Sequence, residues 1–135
     1  MKRSLLLFTL LLALVPTRGQ EDCIPAKPTD ERHLVWQFTQ LLDQGEAQQL
    51  DAKLTAFAQR TSNRIAVIIV DTLCGLEPVD YAVRIGRAWG IGGAEFNNGV
   101  VLLVKPNGGK GRRHVFIAPG EGLEGALPDL ACKRI

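Results

Sequence analysis

Ile65-Ala66-Val67-Ile68-Ile69-Val70 is an unbroken apolar run in which every residue but Ala66 is β-branched. A strand covered on one face alternates apolar and polar residues, so a run without alternation reads as a strand covered on both faces. Val100-Val101-Leu102-Leu103-Val104 repeats the pattern. Between the two runs, Glu77-Pro78 opens a helix, with Pro at a first-turn position where its missing N–H costs nothing. Ala82, Ile85 and Trp89 then recur at spacings of three and four, and Gly90-Ile91-Gly92-Gly93 breaks the pattern. Strand, helix, strand is a βαβ unit, which predicts two parallel strands joined by a right-handed crossover.

Downstream, Pro106-Asn107-Gly108-Gly109-Lys110-Gly111 is a turn signal, and Val115-Phe116-Ile117-Ala118 follows as an antiparallel partner. Leu123, Leu127, Leu130 and Ala131 sit at helical spacing and predict a last helix from Leu123 onward. Upstream, Leu34-Val35-Trp36-Gln37-Phe38 reads as an extended segment at the edge of the core. Asp43-Gln44-Gly45-Glu46 has the form of a capping box, in which the Asp43 and Glu46 side chains each satisfy the other's backbone N–H. Ala47, Leu50, Leu54, Phe57 and Ala58 continue as one helical stripe, ended by Thr61-Ser62-Asn63. Residues 20–33 carry Pro25, Pro28 and several charges and read as a flexible leader.

The first 19 residues have the layout of a cleavable signal. Lys2 and Arg3 precede an apolar run over residues 5–15, broken only by Thr9, and Thr17-Arg18-Gly19 places small residues at −3 and −1 of a cut before Gln20. The run is too short to span a membrane, which takes roughly 20 residues. The expected product is secreted or periplasmic. Removing Lys2, Arg3 and Arg18 takes the formal net charge from +2 to −1. The exported domain is therefore not basic, which argues against a nucleic-acid partner, and its length suits one domain with one core, read as a monomer. Export favours one disulfide among Cys23, Cys74 and Cys132, with the pairing left open and one thiol over.

Most motifs that suggest chemistry fail on their context. Gly120-Glu121-Gly122-Leu123-Glu124-Gly125 is a literal G-x-G-x-x-G, but only a short tail follows it and no acidic residue stands about 20 positions on for a ribose. It reads as a tight turn needing positive φ, and no nucleotide cofactor is expected. Gly108-Gly109-Lys110-Gly111 lacks the phosphate-loop spacing. Lys105, Lys110, Arg112, Arg113 and His114 read as a solvated hairpin face. Asp71 and Cys74, at the end of a buried strand, read as structural, and neither His33 nor His114 has an evident partner. What is left is a set of loop carboxylates and amides: Glu95, Asn97, Asn98, Glu121, Glu124 and Asp129. Hard cations prefer such oxygens. Glu95, Asn97, Glu124 and Asp129 are the candidate ligands for a divalent cation, Ca²⁺ or Mg²⁺, with Glu124 and Asp129 the candidate catalytic residues.

Several of these pieces form a pattern in one order: Val35-Trp36-Gln37-Phe38-Thr39-Gln40-Leu41-Leu42-Asp43, Asn63-Arg64-Ile65-Ala66-Val67, Trp89-Gly90-Ile91-Gly92, Asn98-Gly99-Val100-Val101-Leu102-Leu103-Val104 and Gly120-Glu121-Gly122-Leu123-Glu124-Gly125. Over residues 35–135 the chain resembles the TPM domain family, which includes thylakoid lumen proteins, a photosystem II repair factor and many exported bacterial proteins. The resemblance implies a three-layer α/β/α sandwich, Rossmann-like, with a small mixed sheet of about four strands, in a domain that runs on beyond Ile135. It also implies a place outside the cytoplasm, often tied to membranes, with an envelope or membrane protein as partner. Some relatives are described as weak acid phosphatases, and some bind divalent metal. Family members often carry Asp where this chain has Gln37 and Asn97, whereas Glu124 and Asp129 match the pattern. Taking Gln37 and Asn97 as parts of one site, the loss of two carboxylates weakens it for a cation. The expected function is a binding or quality-control module at the cell envelope. The alternative is a weak divalent-metal-dependent acid phosphatase.

Overall fold

β2 (Arg64–Ile69) lies between β1 (Val35–Gln37) and β3 (Gly99–Lys105), parallel to both, in a computed structural model that describes residues 23–93 and 97–127. β4 (His114–Pro119) closes the sheet antiparallel to β3, giving the order β1-β2-β3-β4. The register pairs Ile65 with Val100 and Val67 with Leu102, so the two unbroken apolar runs lie side by side as expected.

Helix α1 (Gln44–Thr61) links β1 to β2 and packs against both, and α2 (Pro78–Trp89) links β2 to β3 and packs against β3 and β4. Side chains alternate between the faces of a strand. Ala66, Ile68 and Val70 share one face with Val101, Leu103 and Ala118, where they meet Tyr81, Ala82, Ile85 and Trp89 of α2. Val67 and Ile69 point the other way, toward α1, and are only 4% and 1% exposed. The central strand is thus covered on both sides, as the apolar runs predict, and the result is the small mixed α/β sandwich that the resemblance implies. Val115 also lies away from α2, beyond the strands that α1 packs on, and is 60% exposed.

Local chemistry sets the helix limits. Asp43 Oδ1 accepts from Glu46 N–H at 2.8 Å, and Glu46 Oε2 accepts from Asp43 N–H at 3.0 Å, the expected capping box. Ser62 ends α1 in the left-handed region, its N–H donating to Ala58 O. Pro78 opens α2, and Gly90 closes it at φ 63°. After β4, Glu121–Leu123 forms a 3₁₀ turn, and Leu127 N–H donates to Leu123 O at 2.8 Å. Over the described residues 121–127 the helix expected from Leu123 is not a regular α-helix but this 3₁₀ turn and a further turn, and the rest of that expectation lies outside the described residues.

Two substitutions probe this frame. Ile85 is fully buried, and Ile85→Ala is expected to cost 2–5 kcal/mol, on the order of other Ile→Ala core truncations. Asp43→Ala removes one cap and is expected to cost about 1 kcal/mol. Denaturant titration of both variants checks the ranking.

Candidate functional site

The loops that carry the candidate ligands meet at the amino ends of the parallel strands. Ile91-Gly92, Asn98-Gly99 and Gly120-Gly122 converge there as backbone. Gly122 N–H donates to Asn97 O at 3.0 Å, Gly120 N–H to Gly99 O at 2.7 Å, and Arg64 N–H to Asn98 O at 3.0 Å. A Cβ on Gly92 would land on Gly99 N, and one on Gly99 would land on Ile91 O. The positive φ expected for the Gly120-to-Gly125 turn is not found there. Gly122 is required for space instead, since a Cβ would stand 2.9 Å from Asn97 O and 3.2 Å from Asn98 Oδ1.

Of the four candidate metal ligands, Glu95 and Asp129 lie outside the described residues. Asn97 is exposed, its carbonyl taken by Gly122. Glu124 is exposed and borders a cleft of about 200 Å³ between α2 and β4, lined by Val79, Val83 and Phe116. Glu121, on the same rim, pairs with Arg87 of α2 at 3.0 Å. Among the described residues no three His, Cys, Asp or Glu side chains come together in a way that could hold a metal ion. The described part therefore offers a cation one free carboxylate, Glu124, and one amide.

Gln37 does not belong to this cluster, which corrects the grouping of Gln37 with Asn97. The register pairs Gln37 with Ile69, at the carboxyl end of β2, and Gly99 with Arg64, at its amino end. Five ladder positions separate those pairs, about 16 Å at roughly 3.3 Å per residue. Gln37 has local work instead. Its Oε1 accepts from Leu41 N–H at 3.1 Å and Leu42 N–H at 2.9 Å, and its Nε2 donates to Leu42 O at 3.3 Å. The side chain clamps the turn that leads from β1 into α1.

At that carboxyl end, where open α/β sheets hold their ligands, Asn107 Nδ2 donates to the Asp71 carboxylate and to Thr39 Oγ1. Lys105 Nζ donates to Asn107 O and Arg112 O. Asn107 thereby ties together the segments following β1, β2 and β3.

Three partnerships lie beyond the sequence reading, which expects one disulfide but leaves its pairing open. Trp36 and Trp89 meet edge to face at 5.9 Å, with Phe38 against Trp89 at 6.0 Å. Cys23 is joined to Cys74 as a disulfide pair with Cα atoms 6.2 Å apart, and Cys132 lies outside the described residues. His33 does have partners: its Nδ1 is 3.0 Å from Asp51 Oδ2, and its Nε2 is 3.5 Å from Asp30 Oδ2. The other Asp51 oxygen accepts from Leu34 N–H at 2.6 Å and Val35 N–H at 3.1 Å, fixing the start of β1 to α1. The hydrogen bond that Asp51 accepts from His33 raises the His33 pKa above its ordinary 6.5, aided by the Asp51 charge. The hydrogen bonds of Arg32 bring Asp30 down to about 2. One signal for Asp51 is visible in sequence: it sits four residues after Ala47 and three before Leu54, a carboxylate inside an apolar stripe.

Two outcomes follow. Gly122→Ala is expected to cost about 1–3 kcal/mol, since the methyl group must displace backbone. Amide shifts confined to residues 97–99 and 120–123, with a lower Tm, would show the effect at that junction. A raised folded-state pKa at His33 gives stability that is fully present below about pH 6.5 and fades as pH rises through the raised value. His33→Gln is expected to flatten the pH dependence of stability from slightly below neutrality upward. Urea titrations of both proteins between pH 5.5 and 8.5 test this; parallel curves would refute it.

Residues 35–135 match the TPM domain family. Among solved structures, the chain is similar to the N-terminal domain of a protein from P. gingivalis, determined in solution by NMR, at 28% identity and a TM-score of 0.67. The match covers 78% of this chain and 65% of that one, so this chain spans less than two thirds of that neighbour's length. No curated protein matches it. The family match covers most of the sequence with the motifs in order, and the solved neighbour has the same fold: the chain belongs to the TPM domain family.

Proposed function

We propose that this chain is a binding module that works outside the cytoplasm, at the cell envelope, in the upkeep of membrane proteins. The observation that carries the reading is the exposed apolar turn after β1, which Gln37 holds in place. At a position where the family pattern often holds a carboxylate, a neutral amide has its donor and its acceptor occupied by the Leu41-Leu42 turn, so it has little to offer a cation. Beside it Phe38 and Leu41 are each 47% exposed, and exposed apolar side chains grouped in one turn suit a protein partner better than a small polar substrate. The Cys23–Cys74 pair and the signal-like start support an oxidising compartment. Among the described residues no helix is long and apolar enough to cross a membrane.

The second reading is a weak divalent-metal-dependent acid phosphatase, with a metal held by Glu95, Asn97, Glu124 and Asp129. It is favoured by one bond, Gly122 N–H to Asn97 O, which joins the Asn97 loop to the segment carrying Glu124. Such a cation would polarise a phosphate oxygen and activate water.

Chelator-stripped protein titrated with Ca²⁺, Mg²⁺, Mn²⁺ and Zn²⁺, followed by amide resonances, separates the two. The binding-module reading expects no saturable shift at residues 97–99 or 120–127 up to millimolar metal. It also expects Glu124→Gln to leave phosphate-ester hydrolysis at the wild-type background. Saturable shifts at those residues, with turnover lost in Glu124→Gln, would put the phosphatase in its place.

A further inference from the structure

We propose that residues 23–33 form a redox-released strap: reduction of Cys23–Cys74 frees this segment and opens the cavity over Trp36 and Trp89, while the sheet and both helices stay folded.

The segment is held at its two ends and little in between. At the far end, Asp51 grips the backbone of Leu34 and Val35 and the His33 ring. At the near end, the disulfide fastens Cys23 to the loop between β2 and α2. Two weaker contacts lie beside it: Ile24 is half-buried against the core, and Trp89 Nε1–H donates to Pro25 O at 2.9 Å. From Lys27 to Arg32 the ion pairs are internal to the segment, Lys27 with Glu31 and Arg32 with Asp30. Those pairs stiffen the strap without tying it down.

Beneath the strap is a small cavity of about 70 Å³. Trp36, Ala66, Trp89 and Ile91 line its inner side, and Lys27 and Glu31 of the strap line its outer side. Removing the strap would uncover the aromatic edge of β1 without removing any strand or helix. The anchoring loop is itself under local strain. Cys74 holds φ 57°, unfavourable for a residue with a Cβ, and Gly75 follows at φ 77°. The turn is closed by its own bonds, Leu76 N–H to Leu73 O at 2.9 Å and Cys74 N–H to Thr72 Oγ1 at 3.0 Å, so the anchoring loop keeps its shape when the disulfide is broken.

The chemistry balances with a dithiol as reductant. One thiolate attacks a sulfur of the pair to give a mixed disulfide, and the second thiol resolves it. Two electrons and two protons pass to the protein, yielding the Cys23 and Cys74 thiols, and the reductant leaves as its own disulfide.

The test uses the exported chain in a Cys132→Ser background, so that exchange with the third cysteine plays no part. Mass spectrometry after alkylation first establishes the oxidised bond; its absence from air-oxidised protein overturns the proposal. The two tryptophans are the only ones in the chain, so acrylamide quenching reports on the cavity directly. Trypsin reports on the strap, because Arg32-His33 is cleavable whereas Lys27-Pro28 resists. Reduction is expected to speed cleavage after Arg32 at least ten-fold and to raise quenching, with far-UV circular dichroism and cleavage after Arg112 and Arg113 unchanged. Cys23→Ser with Cys74→Ser should behave as the reduced protein without reductant. Equal quenching and cleavage in both redox states would overturn the strap. Loss of the circular dichroism signal on reduction would overturn it equally, since the bond would then hold the whole domain.

Discussion

The structure depends on burying β2 on both faces at once. Ile68 and Ile69 point in opposite directions and are 0% and 1% exposed, each burial contributing roughly 1.5–3 kcal/mol. Neither face can be left to water, so one helix is needed on each side and a strand along each edge. β1 is only three residues long, and alone it would be a weak edge. It is held by Gln37 at one end and Asp51 at the other, two polar side chains that bond backbone groups of the segment entering or leaving it.

That arrangement makes the ends of the sheet chemically unlike. At the carboxyl end lie the starts of both helices, with Asp43 capping α1, Glu77 preceding α2, and Glu46 and Asp80 in the first turns, where the helix dipoles favour negative charge. At the amino end lie the helix ends, where the dipoles favour cations, and the chain already supplies them as Arg60 and Arg87. Arg87 reaches Glu121. Glu121 at this end is thus held by a cation fixed to the protein, in competition with any ion from solution.

The two buried strands, both long helices, the capping box and the β-hairpin were legible because each follows from a period or a cap within a dozen or so residues. The Trp36–Trp89 contact, the Cys23–Cys74 pair and the His33–Asp51 bond were not. Each joins residues from different elements, and no local rule says which cysteine lies over which loop. Gln37 shows the same limit more sharply. Its identity differs from the family pattern, which sequence can reveal, but its distance from Asn97 depends on strand register. Parallel pairing of β1 with β2 sends the two positions to opposite ends of the sheet.

The glycines that mark the family carry a similar lesson. Gly92, Gly99 and Gly122 fall where three backbone segments meet too closely for any Cβ. Gly120, Gly122 and Gly125 have the spacing of a ligand-binding loop, yet the amides at this junction point at protein carbonyls: Gly122 N–H at Asn97 O, Gly120 N–H at Gly99 O, Asn98 N–H at Gly92 O. An amide already bonded in this way cannot also cradle a phosphate. The most recognisable part of the pattern therefore specifies how the turn after α2, the start of β3 and the turn after β4 lock together. Any chemistry at this end must come from the side chains around that lock, and those can change while the fold stays the same.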